Sequence, residues 1–259
     1  MCRDPAGRRG FERGGGGVGT RSFAETSMTH FRQNTDSRQR PAVLKDTLLF
    51  LCNRLAEHFG PLHWWPADSP FEVVIGAFLT QNTAWRNVEL AIAALKKTIP
   101  LTPQALCALQ RQDLEELIRP AGFFRQKAQR LQLFATCLLE KHQGDLDAML
   151  SGPLSQVRQT LLTFKGIGPE TADSILLYAG HRPSFVVDAY TRRLFKRYGV
   201  LEGDETYEDI RALFMAHLPR QVDLFNEYHA LIVEQCKTFC RKRPLCENCP
   251  LQPECPVLL

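Results

Sequence analysis

The sequence predicts an all-α protein, on two observations. Apolar residues recur at helical spacing from Leu44 onward, and alternating β-branched strand runs are nearly absent. Leu44, Leu48, Leu51, Leu55 and Phe59 mark an amphipathic first helix. Residues 71–81 are almost wholly apolar, which predicts a helix buried on every side. Leu90, Ile92, Ala93 and Leu95 continue into the next helix. Further helical patterns cover roughly 103–110, 113–118, 125–140, 154–162, 170–180, 188–198, 206–218 and 221–236. Phe185-Val186-Val187 is the one strand-like run and is very short.

The 259 residues suffice for one large or two modest domains, and 44% hydrophobic content is ample for a core. Residues 1 to about 41 are expected to be disordered: Gly14 to Gly17 lie there with almost no apolar pattern. They lack the apolar stretch of a secretory signal. The apolar run Val73–Leu79 falls far short of the roughly 20 residues that span a bilayer. Membrane association is therefore not expected, and a cytoplasmic setting is. Net charge is +4, but residues 42–259 carry 24 basic and 24 acidic side chains, so any nucleic-acid face must come from local clustering.

Nine cysteines divide into two groups. Cys2, Cys52, Cys107 and Cys137 are scattered and read as small buried or neutral thiols. Cys236, Cys240, Cys246, Cys249 and Cys255 crowd the C-terminus, where a reducing compartment favours a metal site over disulfides.

Between two helical patterns lies Phe164-Lys165-Gly166-Ile167-Gly168-Pro169-Glu170-Thr171-Ala172. Gly166 and Gly168 remove side chains where backbone turns tightly and approaches something closely. Pro169 suits the first turn of the next helix, where its missing N–H costs nothing. Amides exposed there suit a phosphate oxygen, and Lys165 adds charge. An ordinary αα turn would use the same glycines for geometry alone. Ala172, Ile175, Leu176 and Ala179 give the following helix one apolar face.

With Leu79-Thr80-Gln81-Asn82-Thr83, Gly122-Phe123-Phe124-Arg125-Gln126-Lys127-Ala128 and Val186-Val187-Asp188-Ala189-Tyr190, this hairpin makes residues 42–259 resemble the endonuclease III superfamily of helix-hairpin-helix DNA glycosylases. Trp64-Trp65-Pro66 and Lys165-Gly166-Ile167-Gly168 are most similar to the branch with type III 3-methyladenine DNA glycosylase. The resemblance implies two helical domains with a cleft between them. Residues 63–182 would form a six-helix barrel bearing the hairpin, and 42–62 plus 183–259 a helical iron–sulfur domain. The implied partner is double-stranded DNA containing a damaged base, engaged by a monomer.

The resemblance makes Asp188 the catalytic residue. A carboxylate there stabilises the positive sugar that develops as an N-glycosidic bond breaks, or activates a water against it. On its own, Asp188 reads equally as a helix N-cap. Endonuclease III carries a lysine two residues after the second hairpin glycine, which forms a Schiff base and allows strand cleavage. That position here is Glu170, which cannot, so weak or absent lyase activity is expected; Lys165 is a possible substitute amine. The glutamate of the adenine-specific branch aligns with Ala77. Trp64, Trp65 and Trp85 are expected to line a pocket for the flipped base, and Gln81 to wedge into the gap it leaves. The alkylation-repair branch has a lysine directly after the aspartate, whereas this chain has Ala189.

Cys240, Cys246, Cys249 and Cys255 have the spacing C-x5-C-x2-C-x5-C, which suits a 4Fe–4S cluster, with a first gap one residue shorter than is usual in the family. Zinc is the alternative metal, and Cys236 the alternative first ligand. Arg241, Lys242 and Arg243 lie in the first gap and would form a phosphate clamp; Lys237 adds to it. Arg192, Arg193, Lys196 and Arg197 do not share one helical face, so part of that stretch is expected to be solvated surface. Three functions follow: a monofunctional glycosylase for alkylated bases, a bifunctional glycosylase/lyase for oxidised pyrimidines, and a non-enzymatic binder of DNA structure.

Overall fold

The computed structural model describes residues 40–256. The segment expected to be disordered lies outside the described residues, except that the first helix already begins at Arg40. Cys2 lies outside them too.

The described elements are α-helical. They comprise α1 (Arg40–Phe59), α2 (Pro70–Leu79), α3 (Trp85–Thr98), α4 (Pro103–Ala108), α5 (Arg111–Leu117) and α6 (Phe124–His142). After these come α7 (Leu146–Leu150), α8 (Leu154–Leu162), α9 (Pro169–Ser174), α10 (Ala189–Tyr198), α11 (Tyr207–His217) and α12 (Val222–Thr238). A π turn, Ile175–Ala179, extends α9. Phe185-Val186-Val187 is extended and buried but pairs with no strand among the described residues. No described helix is long and apolar enough to cross a membrane.

Helix α2 forms as its sequence demands. Ser69 caps it by accepting from the Glu72 N–H, Pro70 opens it, and every residue from Phe71 to Leu79 is buried. Even Glu72 is buried, with its carboxylate 2.6 Å from the Lys96 ammonium. On α3 the buried face is Val88, Ala91, Ile92 and Leu95. This corrects the periodicity read from sequence. Leu90 is 50% exposed, and Ala93 is exposed too, because both fall on the opposite side of the helix. The short α7, N-capped by Asp145, had no periodicity to betray it. The helix after the hairpin is likewise buried all round from Thr171 to Ala179, not on one face.

Helices α2 to α9 pack around α2 and α6, while α1, α10, α11 and α12 pack together. Phe185 stacks on Phe214 at 4.0 Å and meets Phe225 edge-on in the second group. Tyr228 ties α12 to α1 by donating to the Leu48 carbonyl at 2.7 Å. The π turn touches both α2 and α12 and so bridges the groups.

Two buried charges organise the turns. The Lys127 ammonium donates to the carbonyls of Leu79, Gln81 and Ala121 at 3.0, 2.8 and 2.7 Å. It satisfies the end of α2, where the helix dipole favours a cation. Asp173, wholly buried on α9, accepts both forks of Arg158 from α8 at 2.9 Å. It also accepts from Ser184 at 2.5 Å, Tyr207 at 2.8 Å and Arg211 at 3.1 Å.

Asp173→Asn keeps the shape but leaves two nearly buried guanidinium groups facing a neutral amide. Urea denaturation should register a loss of about 3–5 kcal/mol, the usual cost of breaking a buried ion pair. An unchanged midpoint would show that the network is dispensable.

Candidate active site

The hairpin joins α8 to α9. Gly166 has φ +94°, a conformation that favours glycine, and a Cβ there would displace the end of the Arg130 side chain. Gly168 differs: a Cβ would meet only open space. Its lack of a side chain leaves the surface clear for an external group. Among the described residues, neither glycine N–H donates to another protein group. Lys165 is exposed beside them. Gln81 is not free: its amide donates to the Gly166 carbonyl at 2.9 Å and the Thr171 hydroxyl at 3.0 Å, tying the end of α2 to the hairpin.

Asp188 is the N-cap of α10, as its sequence position allows. Its Oδ1 accepts from the Thr191 N–H at 2.7 Å and the Thr191 hydroxyl at 2.9 Å. Its Oδ2 lies 3.6 Å from His229 Nε2 on α12. Burial alone would raise the Asp188 carboxyl, but His229 and then Thr191 outweigh burial and hold it below the usual aspartate range. Glu170 opens α9 and faces solvent, yet partial desolvation, and then the Asp188 charge, push its carboxyl up. Two neighbouring acidic groups are thus driven apart, as paired acids and bases are in enzymes.

Two residues of this cleft escaped the sequence reading. The Tyr178 hydroxyl lies 2.5 Å from His229 Nδ1. Its phenol is held well above its ordinary value by burial and then by the Asp188 charge, so it keeps its proton. Tyr178 had a faint signal, since Glu170, Ser174 and Tyr178 recur every four residues along one helix. His229 had none: it sits on an ordinary amphipathic helix.

The three tryptophans gather against Tyr178. Trp65 meets Trp85 edge-on at 4.9 Å and lies 5.1 Å from Tyr178, and Trp64 lies 6.0 Å from Trp85. All three are half-buried. Gly76 makes room for the cluster, because a Cβ there would stand 3.0 Å from the Trp65 ring. The Lys237 ammonium sits 5.3 Å above Trp64.

Cys240, Cys246, Cys249 and Cys255 line one pocket with Leu194, Tyr198 and Leu251. Two N–H groups point at its sulfurs, Gln235 to Cys249 at 3.0 Å and Arg197 to Cys240 at 3.3 Å. The Cys240 thiol is lowered to about 6, chiefly by Cys236 and further by Arg197. Cys236 is buried outside this pocket, bonded to the Tyr190 carbonyl. Among the described residues, no three Cys, His, Asp or Glu converge on a single-ion geometry. Arg241, Lys242 and Arg243 are exposed on the loop. The neighbouring basic stretch is largely spoken for. Arg193 donates to the Cys240 carbonyl, Arg197 to those of Arg241 and Lys242, and Arg192 to that of Glu205.

The architecture is thus that of a helix-hairpin-helix protein in which a partly buried carboxylate is linked through His229 and Tyr178 to an aromatic cluster. A profile of the HhH-GPD superfamily of base excision DNA repair proteins matches residues 75–220, and the chain belongs to that family. It is 47% identical over 203 residues to the "Putative DNA repair glycosylase MJ1434" of Methanocaldococcus jannaschii, covering 78% of this chain and 92% of that protein. The fold superposes on an endonuclease III–DNA complex with TM-score 0.72 at 23% identity, over 82% of this chain and 95% of that one. It also superposes on the 3-methyladenine DNA glycosylase of H. pylori bound to 1,N6-ethenoadenine, with TM-score 0.63 at 27% identity. That match covers 74% of this chain and 95% of the other.

The lowered Asp188 carboxyl has a stability consequence. Its contribution is complete above the ordinary value near 3.8 and is lost as pH falls through the lower folded-state value. Asp188→Asn should therefore unfold more readily than wild type at neutral pH. That gap should close only as pH falls below about 3.8 in denaturant titrations. A gap independent of pH would contradict this.

Proposed function

We propose that the chain is a monofunctional DNA glycosylase that hydrolyses the N-glycosidic bond of an alkylated base flipped out of duplex DNA. The observation that carries this reading is Asp188, its carboxyl held low and flanked by Thr191 and His229. The C1′–N bond breaks and its electron pair leaves with the base. The carboxylate stabilises the positive sugar, and water adds to C1′ and gives its proton to Asp188. Free base and an abasic site result. A base made cationic by alkylation leaves readily and needs little acid catalysis.

No amine stands at Glu170, so no Schiff base forms there, and Lys165 is exposed on the hairpin. Trp64, Trp65 and Trp85 offer aromatic faces to the extruded base. Gln81 would leave the hairpin to fill the gap in the stack. The free Gly166 and Gly168 amides, Lys165, and the Arg241, Lys242 and Arg243 loop would hold phosphates without reading sequence. The protein would act on double-stranded DNA as a monomer, residues 63–182 forming the hairpin domain and 42–62 with 183–259 the other. The similar H. pylori 3-methyladenine DNA glycosylase, bound to 1,N6-ethenoadenine, supports the substrate class.

The four cysteines suit a 4Fe–4S cluster, because N–H donors to sulfur from Gln235 and Arg197 favour thiolates. When bound, the cluster would staple the loop and offer a redox centre, with no part in hydrolysis.

A panel of lesion-bearing duplexes, scored separately for base release and strand cleavage, tests the reading. Release of alkylated purines without nicking is expected, with no borohydride-trapped adduct. Asp188→Asn should slow release on the order of 10²-fold or more. Strong trapping would replace this reading with the lyase mechanism, and no release from any lesion would leave a DNA-structure binder. Purified protein should absorb broadly in the visible and contain iron with acid-labile sulfide, both lost in Cys249→Ser. Colourless protein with one zinc would refute the cluster.

A further inference from the structure

Behind Asp188 lies a chain of buried groups that N-capping does not require. Tyr178 is 5% exposed and His229 is 6% exposed, and their contact is 2.5 Å. The Tyr178 phenol keeps its proton, and with that proton donated to Nδ1 the imidazole proton stands on Nε2. That N–H is buried and bonded to nothing within normal hydrogen-bond length among the described residues. It points at Asp188 Oδ2, 3.6 Å away. An unpaired buried donor costs about 1–3 kcal/mol. Hydrogen bonds of this kind commonly tighten when substrate closes a site.

The two carboxylate oxygens are thereby served from opposite sides. Thr191 on α10 fixes Oδ1, and His229 on α12 faces Oδ2. Without a partner at Oδ2, the carboxyl keeps one anchored oxygen and the ring electrostatics of the cleft alone. The other titratable or charged groups near it are Glu170 from α9, Arg192 from its own helix and the Cys236 thiol from α12.

We propose that His229, its tautomer set by Tyr178, is a positioning residue that presents Nε2–H to Asp188 and fixes the orientation of the carboxylate for attack on the sugar. The inference rests on Asp188 as the catalytic carboxylate. Tyr178 acts one step further back. Its removal lets the imidazole proton move to Nδ1, which turns a lone pair toward Oδ2. Neither residue touches the reacting atoms.

The test has an arm that needs no substrate. In ¹³C-carboxyl and ¹⁵N-imidazole NMR of the full chain, wild-type His229 should be the neutral Nε2–H tautomer, with Asp188 titrating below the usual aspartate range. His229→Leu should raise the Asp188 titration. His229→Gln, whose amide reaches with a donor, should restore most of it, and Tyr178→Phe should shift the tautomer. An Asp188 titration identical in wild type and His229→Leu would overturn the proposal. In single-turnover release of 7-methylguanine from duplex DNA, His229→Leu should lose on the order of ten- to a hundred-fold, the range for a misoriented catalytic group. Its acid limb should move to higher pH, and His229→Gln should recover most of the rate. Tyr178→Phe should add little to His229→Gln, since both act through one contact. Equal losses in Leu and Gln variants, with no movement of the acid limb, would also overturn the proposal. Retained release in Asp188→Asn would instead sink the reading of Asp188 itself. An inactive Asp188→Asn beside a wild-type-like His229→Leu would sink only the role of His229.

Discussion

The Asp173 carboxylate is the constraint on which the geometry of the cleft depends. It is wholly buried and accepts from α8, α11 and the segment at Ser184 at once. A buried charge tolerates few arrangements, because each unsatisfied lone pair carries a desolvation penalty. The network therefore fixes how the hairpin helices sit against α11. Tyr207 extends it: while donating to Asp173, it accepts from the Val187 N–H at 3.4 Å. Val187 immediately precedes Asp188. The residue that grips the hairpin also sets where the catalytic candidate begins.

Asp188 and Glu170 show how one cleft assigns opposite tendencies to the same functional group. Both are desolvated, and Glu170 also feels the Asp188 charge. Asp188 has His229 and two donors from Thr191, and its carboxyl is held low. Glu170 has no such donors: only the remote influence of His229 and Arg192 offsets burial, and it is raised. The difference lies in hydrogen-bond supply, which follows from the position of Asp188 at a helix N-terminus whose first turn offers donors.

Much of this was legible in the sequence, for identifiable reasons. Helix α2 was plain because nine consecutive buried residues leave no polar face to misread. Asp188, Glu170 and the four cysteines stood out because a motif fixes their place along the chain. Leu90 misled, because one apolar residue on a solvent face has little effect on periodicity. Tyr178 and His229 were invisible as a pair: they are 51 residues apart, and the π turn after Ser174 adds a residue to the helical turn carrying Tyr178. No pattern of spacing predicts which side chain of α12 will meet it. The basic stretch at 192–197 was legible as charge but not as purpose, since its partners are backbone carbonyls, which sequence does not mark.

Those carbonyls tie together two parts of the molecule that look independent. Helix α10 begins at its Asp188 cap; Arg193 at its middle and Arg197 in its last turn hold the carbonyls of Cys240, Arg241 and Lys242. Ten helical residues span about 15 Å. Over that length a hydrogen-bonded helix behaves as a rigid strut. The arginines also occupy the carbonyls where α12 gives way to the loop, groups that would otherwise lack partners. His229 lies on that same α12, one and a half to two turns before Cys236. The Asp188 carboxylate and the histidine facing it are thus each carried by a helix whose other end is fastened to the cysteine loop. Anything that stiffens the loop stiffens both sides of the Asp188–His229 contact. The loop is thereby coupled to the Asp188–His229 contact through α10 and α12.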